Sequence, residues 1–233
     1  MKYTVDEWVF EKNPDMLFGI IVGEGLQNTE TSKEDSEVLK KSEQHLREKI
    51  KAENIKTTPC ILRYRDALSN VDINPNKYMN SVEAMSKRVI KGSDLPRINA
   101  LVDLCNAISL KHVISLGGHD LRDIESDLEV RKSVDGDVFL PFGETEFEVV
   151  PAGEVVFTSG DKVQTRQWLW RQSELGKLTL DSQNIIFQLV GFSGEGEADF
   201  RAAMADVEAM VINRFQGKAT AFTVDKNKNS IEF

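Results

Sequence analysis

RINALVDLCNAISLKHVISLGGHDL, residues 97–121, changes character halfway along. Pro96 precedes it, and Ile98, Leu101, Val102, Cys105 and Ile108 recur at helical spacing, which predicts an amphipathic helix over 97–110. Asn99, Asp103 and Asn106 fall at i, i+4 and i+7 and so share one helical face. Apolar residues interleave with them instead of standing cleanly opposite. A partly enclosed face is therefore expected, where side-chain amides must find partners, either a ligand or a helix-packing hydrogen-bond network. After the helix, Gly117 and Gly118 leave the backbone open to a ligand and can adopt positive φ, with His119 and Asp120 directly behind. The competing reading is a tight turn carrying a half-exposed histidine.

Upstream of this stretch the chain reads mostly as helix. Residues 29–55 contain no Gly or Pro, many Glu and Lys, and an apolar stripe of Val38, Leu39, Leu46 and Ile50. Residues 60–71 and 81–90 follow as shorter helices, the second with Ser81 as N-cap and closed by Gly92. Only 3–10 and 15–22 read as strands there, parted by a turn at Asn13-Pro14. Downstream the period shortens. Residues 128–134, 145–150, 154–159, 163–170 and 184–192 are β-branched or aromatic runs separated by Gly, Pro or Asp. A last helix covers 197–215, stops before Gly217, and leaves 219–224 as a closing strand. Segregated helices and strands indicate an α+β fold. No Pro/Gly/Ser linker divides the 233 residues, so one domain is expected over 1–233, with strands and a long helix in 1–55 and a core in 56–233.

Several chemistries find no support. A net charge of −9 argues against broad phosphate-driven nucleic-acid binding, so no DNA partner is expected, although a local basic patch leaves RNA open. No run of 18 apolar residues predicts a membrane span, and the acidic N-terminal segment does not resemble a signal peptide, so a cytoplasmic location is expected. Cys60 and Cys105 read as free thiols. His45, His112 and His119 lack the spacing of a metal site, and no metal or cofactor is expected. Neither a nucleophile elbow nor a phosphate-binding glycine loop occurs.

A further polar constellation is WLWRQSELGKL, residues 168–178. On a strand, Trp168 and Trp170 would face the same way and form an apolar wall. Arg171 and Glu174 follow three residues apart, either as a surface ion pair of little energetic weight or as fixed polar groups beside a pocket.

These constellations, in this order and spacing, resemble a known module. INALVDLCN is similar to the INPVVDVTN pattern of the B3/B4 editing domain of the bacterial phenylalanyl-tRNA synthetase β-subunit, and RQSELGKLTLDSQNIIFQL to its GGExSxVxxxTxNVLLE segment. Free-standing B3/4 domain proteins resemble the chain more closely, over roughly 60–215. The resemblance implies a curved mixed or antiparallel sheet flanked by helices, around an amino-acid-sized pocket. In the synthetase the module hydrolyses tyrosine esterified to phenylalanine tRNA, and its selector glutamate falls on Glu174. Its Thr-Asn pair falls on Cys105 and Asn106, its histidine on Gly117, and its glycine pair on Gln172 and Ser173. The resemblance thus implies metal-free, water-mediated hydrolysis of mischarged aminoacyl-tRNA in trans. Asn106 and His119 stand as catalytic candidates, His119 replacing the absent histidine. Asn99, Gly117, Gly118, Trp170, Arg171, Ser173 and Glu174 stand as substrate-binding candidates. The alternative is a module that binds an amino acid or a tRNA 3′ end without chemistry.

Overall fold

The computed structural model describes residues 1–233 apart from the side chain of Ala52. The chain opens with β1 (Lys2–Val5), and the extended run predicted over 3–10 stops there. The Asp6 carboxylate accepts from the Trp8 amide and caps a short helix, α1 (Glu7–Lys12), so a local cap overrides the β-propensity of Trp, Val and Phe. After β2 (Met16–Glu24), α2 (Lys33–Lys49) starts at a reciprocal capping box of Ser32 and Asp35. Two helices follow, α3 (Pro59–Asn70) and α4 (Ser81–Ile90), the latter capped by Asn80 and not by Ser81.

Helix α5 (Ala100–His112) begins at Asn99, whose side chain accepts from the Val102 amide. It ends at Val113, held at φ +52°, a conformation rare for a β-branched residue. Ser109 supports the reversal, since its hydroxyl donates to the Ile114 carbonyl and its carbonyl accepts from the Ile114 amide. Two residues therefore suffice to start β3 (Ser115–Asp120), a strand against which α5 packs. The glycine pair, for which a tight turn was one of two readings, lies inside this strand.

Short strands come next: β4 (Leu128–Lys132), β5 (Val138–Phe139), β6 (Glu148–Val149), β7 (Val155–Ser159), β8 (Lys162–Arg166) and β9 (Arg171–Gln172). The longer β10 (Ile185–Phe192) leads to α6 (Glu197–Ala209), which runs on through a π-helical turn at Met210–Arg214. β11 (Lys218–Val224) and β12 (Ser230–Glu232) close the chain. The fold is α+β, with its strands divided between two sheets. A mixed eight-stranded sheet has the order β12-β1-β4-β7-β8-β5-β6, with β9 also on β8. An antiparallel four-stranded sheet has the order β11-β2-β10-β3.

Within the smaller sheet β2 and β10 are buried on both faces, which is why MLFGIIV and IIFQLVGF are nearly continuous apolar runs. Phe18, Ile20, Ile186 and Val190 face a core shared with Tyr3, Phe157 and Trp168 of the larger sheet's surroundings. Leu17, Ile21, Phe187 and Leu189 face a second core under α5 and α6. Gly191 and Gly19 let α6 approach, since a Cβ on Gly191 would lie 2.5 Å from Phe200 and one on Gly19 would lie 2.7 Å from the Met204 sulfur. The strand β3 forms an edge of this sheet, and its register against β10 pairs Gly117 with Gln188 and His119 with Ile186.

Candidate functional site

Strand alternation sends Leu116 and Gly118 toward the core under α5, and Gly117 and His119 toward the opposite face. A chamber lies on each side. The one facing α5, of about 180 Å³, is lined by Cys105 and Asn106 of α5, Gly118, Phe142, Lys177 and Leu178. The other, of about 110 Å³, is lined by His119, Ser81, Ser115, Trp168, Trp170 and Gln188. Leu116, Gly117 and Gln172 line both, so the chambers adjoin at Gly117.

The two glycines serve different ends. A Cβ on Gly118 would lie 2.8 Å from Leu178, so packing alone explains its absence. Gly117 is not among the residues with positive φ, and a Cβ there would meet only His119 Nε2, at 3.8 Å, an ordinary contact. Space beside the imidazole is what this glycine preserves.

The outer edge of β3 is partly taken up by other groups. Gly118 accepts from Gln172 Nε2 at 3.1 Å, and Asp120 donates to the Gly176 carbonyl at 2.9 Å. In an antiparallel strand, alternate residues point both backbone groups the same way, so the Gly118 N–H also faces away from β10.

His119 is 3% exposed, and its ring packs edge-on against Phe157 at 5.0 Å between centroids. Burial pushes its pKa down to about 4, which keeps the imidazole neutral at physiological pH. Its Nδ1 has no partner among the described residues, and neither does Oε1 of the buried Gln164. Both atoms lie within 3.3 Å of the point a Cβ of Gly176 would occupy, a glycine held at φ +73°. Burial pushes the Cys105 thiol up to about 12, so this wall presents a thiol and not a thiolate.

Other residues singled out in the sequence occupy different places. Asn99 caps α5, donates to the Leu178 carbonyl at 3.3 Å and accepts from Asn28. Asp103 accepts from the Thr31 hydroxyl and the Ile98 amide, an internal network. Ser173 is fully buried, donating to the Leu140 carbonyl and accepting from the Leu175 amide. Glu174 lines neither chamber. Its carboxylate accepts from Lys177 at 2.9 Å and from the Gly143 amide at 3.0 Å, and these bonds, Lys177 first, hold its pKa below the usual carboxylate range. The Arg171 guanidinium lies 5.7 Å from the Phe139 ring centroid. Residues 167–170 form a turn, with Trp168 at φ +62°, so the two tryptophans do not make one strand face. Trp168 is fully buried and stacks on Phe18, whereas Trp170 is half-exposed against Tyr78.

Sequence reasoning missed Lys177, Phe142 and Gln188 as lining residues. The spacing Glu174–Lys177 carried a signal for the first, while Phe142 and Gln188 reach the chambers only through tertiary pairing.

A family model described as the B3/4 domain matches residues 63–201. The curated proteins contain no match. Among solved structures, an N-terminal fragment of the phenylalanyl-tRNA synthetase beta-subunit from Pyrococcus horikoshii is similar at 12% identity and a TM-score of 0.45. That match covers 95% of this chain and 53% of the other, so this chain spans about half the length of the fragment.

Proposed function

The chain belongs to the B3/4 domain family, and from that premise we propose that it hydrolyses mischarged aminoacyl-tRNA in trans, in the cytoplasm and without a metal. The observation that carries this reading is the approach of His119 Nε2 to the side-chain position of Gly117. By resemblance, the editing module has a histidine at that place. Residues 117 and 119 share a strand face, so an imidazole anchored two residues later reaches the same region.

The ester carbonyl lies on the outer edge of β3, within reach of the Gly118 N–H, with Asn106 across the same chamber. Such donors stabilise the oxyanion formed as water adds to the carbonyl carbon. His119 Nε2 accepts a hydrogen bond from that water and orients it, and the water's proton passes to the departing ribose oxygen as the adduct collapses. Ester and water thus become a free amino acid and a free tRNA 3′ end. Its low basicity makes His119 a better orienter of water than a base, so positioning supplies most of the acceleration. Lys177 lines this chamber and suits a phosphate of the tRNA end. Glu174 holds Lys177 and does not contact the amino acid directly.

Deacylation assays over a panel of mischarged tRNAs test this. Turnover of at least one member, lowered about 10²-fold in kcat by His119→Ala, is the expected result. The second reading, a binding module without chemistry, draws its support from the depressed basicity of His119. Amino-acid binding with no turnover on any member would favour it.

A further inference from the structure

The chamber beside His119 has an inventory that the hydrolytic reading leaves unused. Its polar lining consists of Ser81, Ser115, Thr165, Gln172, Gln188 and Trp168, with no Asp, Glu, Lys or Arg among the lining residues. Trp168 is fully buried, yet its indole N–H has no partner among the described residues. Gln172 and Gln188 donate their amide hydrogens within the protein, to the Gly118 carbonyl and the Tyr3 hydroxyl, which leaves their carbonyl oxygens as acceptors. A free donor and free acceptors suit a group that both accepts and donates, such as a hydroxyl or a carboxamide. A charged group would find no counter-ion, and His119 is itself neutral. At about 110 Å³ the space is well below the roughly 300–1,000 Å³ of pockets for drug-sized ligands, so only a small group enters. Gly117 provides the way in, because neither its conformation nor its packing requires a glycine.

We propose that this chamber is the side-chain subsite, reached over Gly117 from the α5 side, and that it takes small uncharged hydrogen-bonding side chains in preference to aromatic or charged ones. The assignment rests on the reading of the adjoining chamber as the place of the aminoacyl ester.

Binding of L-threonine amide, L-asparagine amide, L-phenylalanine amide and L-lysine amide to the full chain tests it. Calorimetry gives the affinities, and ¹⁵N NMR follows the Trp168 indole, assigned with Trp8→Phe and Trp170→Phe proteins. The expected result is that the threonine or asparagine amide binds at least tenfold more tightly than the other two and shifts the Trp168 indole resonance. Gly117→Ala, whose methyl group meets only an ordinary contact, should fold normally and weaken that binding severalfold. Thr165→Val, an isosteric change in the chamber wall, should also weaken it. Preference for the phenylalanine or lysine amide, binding that leaves Trp168 unmoved, or no binding by any amide would overturn the proposal. Failure of the two readings is distinguishable. Selective binding without deacylation of any tRNA retains the subsite and removes the hydrolase. Deacylation confined to aromatic or charged aminoacyl-tRNA does the reverse.

Discussion

His119 packs against Phe157 with its Nδ1 unpartnered among the described residues, so a proton there would place a charge out of reach of water. Burial lowers its pKa from 6.5 to about 4. Between those values the unfolded chain binds a proton that the folded chain refuses. The stability contribution is therefore complete above pH 6.5 and is lost as the pH falls through that window, by up to about 3 kcal/mol. Urea denaturation at pH 7 and pH 4.5 should show the wild type losing more stability than His119→Gln, and equal losses would contradict the burial argument. The same neutral imidazole predicts that deacylation stays level into mildly acidic solution and declines only toward pH 4. A decline centred near 6.5 would mean a solvated histidine. Glu174 is a different case, because its ion pair with Lys177 is partly solvent-exposed. Glu174→Ala should change the unfolding free energy by less than about 1 kcal/mol while disturbing the loop that carries Gly143. The family pattern pointed to this residue, but its carboxylate is held by Lys177 and Gly143, one close in sequence and one far. Only the first was legible.

Among the elements, β2 and β10 were the most readable, since long unbroken apolar runs leave little choice but a strand buried on both faces. Helix α5 was equally plain, and the face bearing Asn99 and Asp103 proved to be an internal polar network that anchors its first turns. β3 was obscured by its glycines, which left a turn open as one reading and instead clear space on both faces of an edge strand. The segment WLW misled in the other direction. Aromatic residues favour strands, yet Gln167 and Trp168 both adopt positive φ, an override that local propensity does not encode. The seat of α6 on the smaller sheet offers a direct test. Gly191→Ala would drive a methyl group to 2.5 Å from a buried phenylalanine ring, Phe200. A loss of about 1–3 kcal/mol in chemical denaturation is expected, and a neutral result would mean that α6 shifts freely.

Across the whole molecule, the first 55 residues are built into both sheets. β2 stands between β11 and β10, and β1 joins β4 and β12. The family match begins only at residue 63, so this dependence was not legible from the motifs. One buried ion pair links α2 to the start of α5. Glu43, fully buried, accepts from the Leu95 amide and from Arg97 at 3.0 and 3.1 Å. Glu43→Ala leaves those donors unpaired and should cost about 3–5 kcal/mol, lowering Tm by at least about 6 °C. Because the same segment sets α5 and hence Asn106, the loss should extend to the candidate site. The central claim, hydrolysis at the edge of β3 beside His119, is tested most directly by single-turnover deacylation of mischarged tRNAs with wild-type and His119→Ala proteins. Hydrolysis of at least one substrate, slowed about 10²-fold by the substitution in a protein that still folds, is the predicted result. Hydrolysis at an unchanged rate in His119→Ala, or none by the wild type, would contradict it.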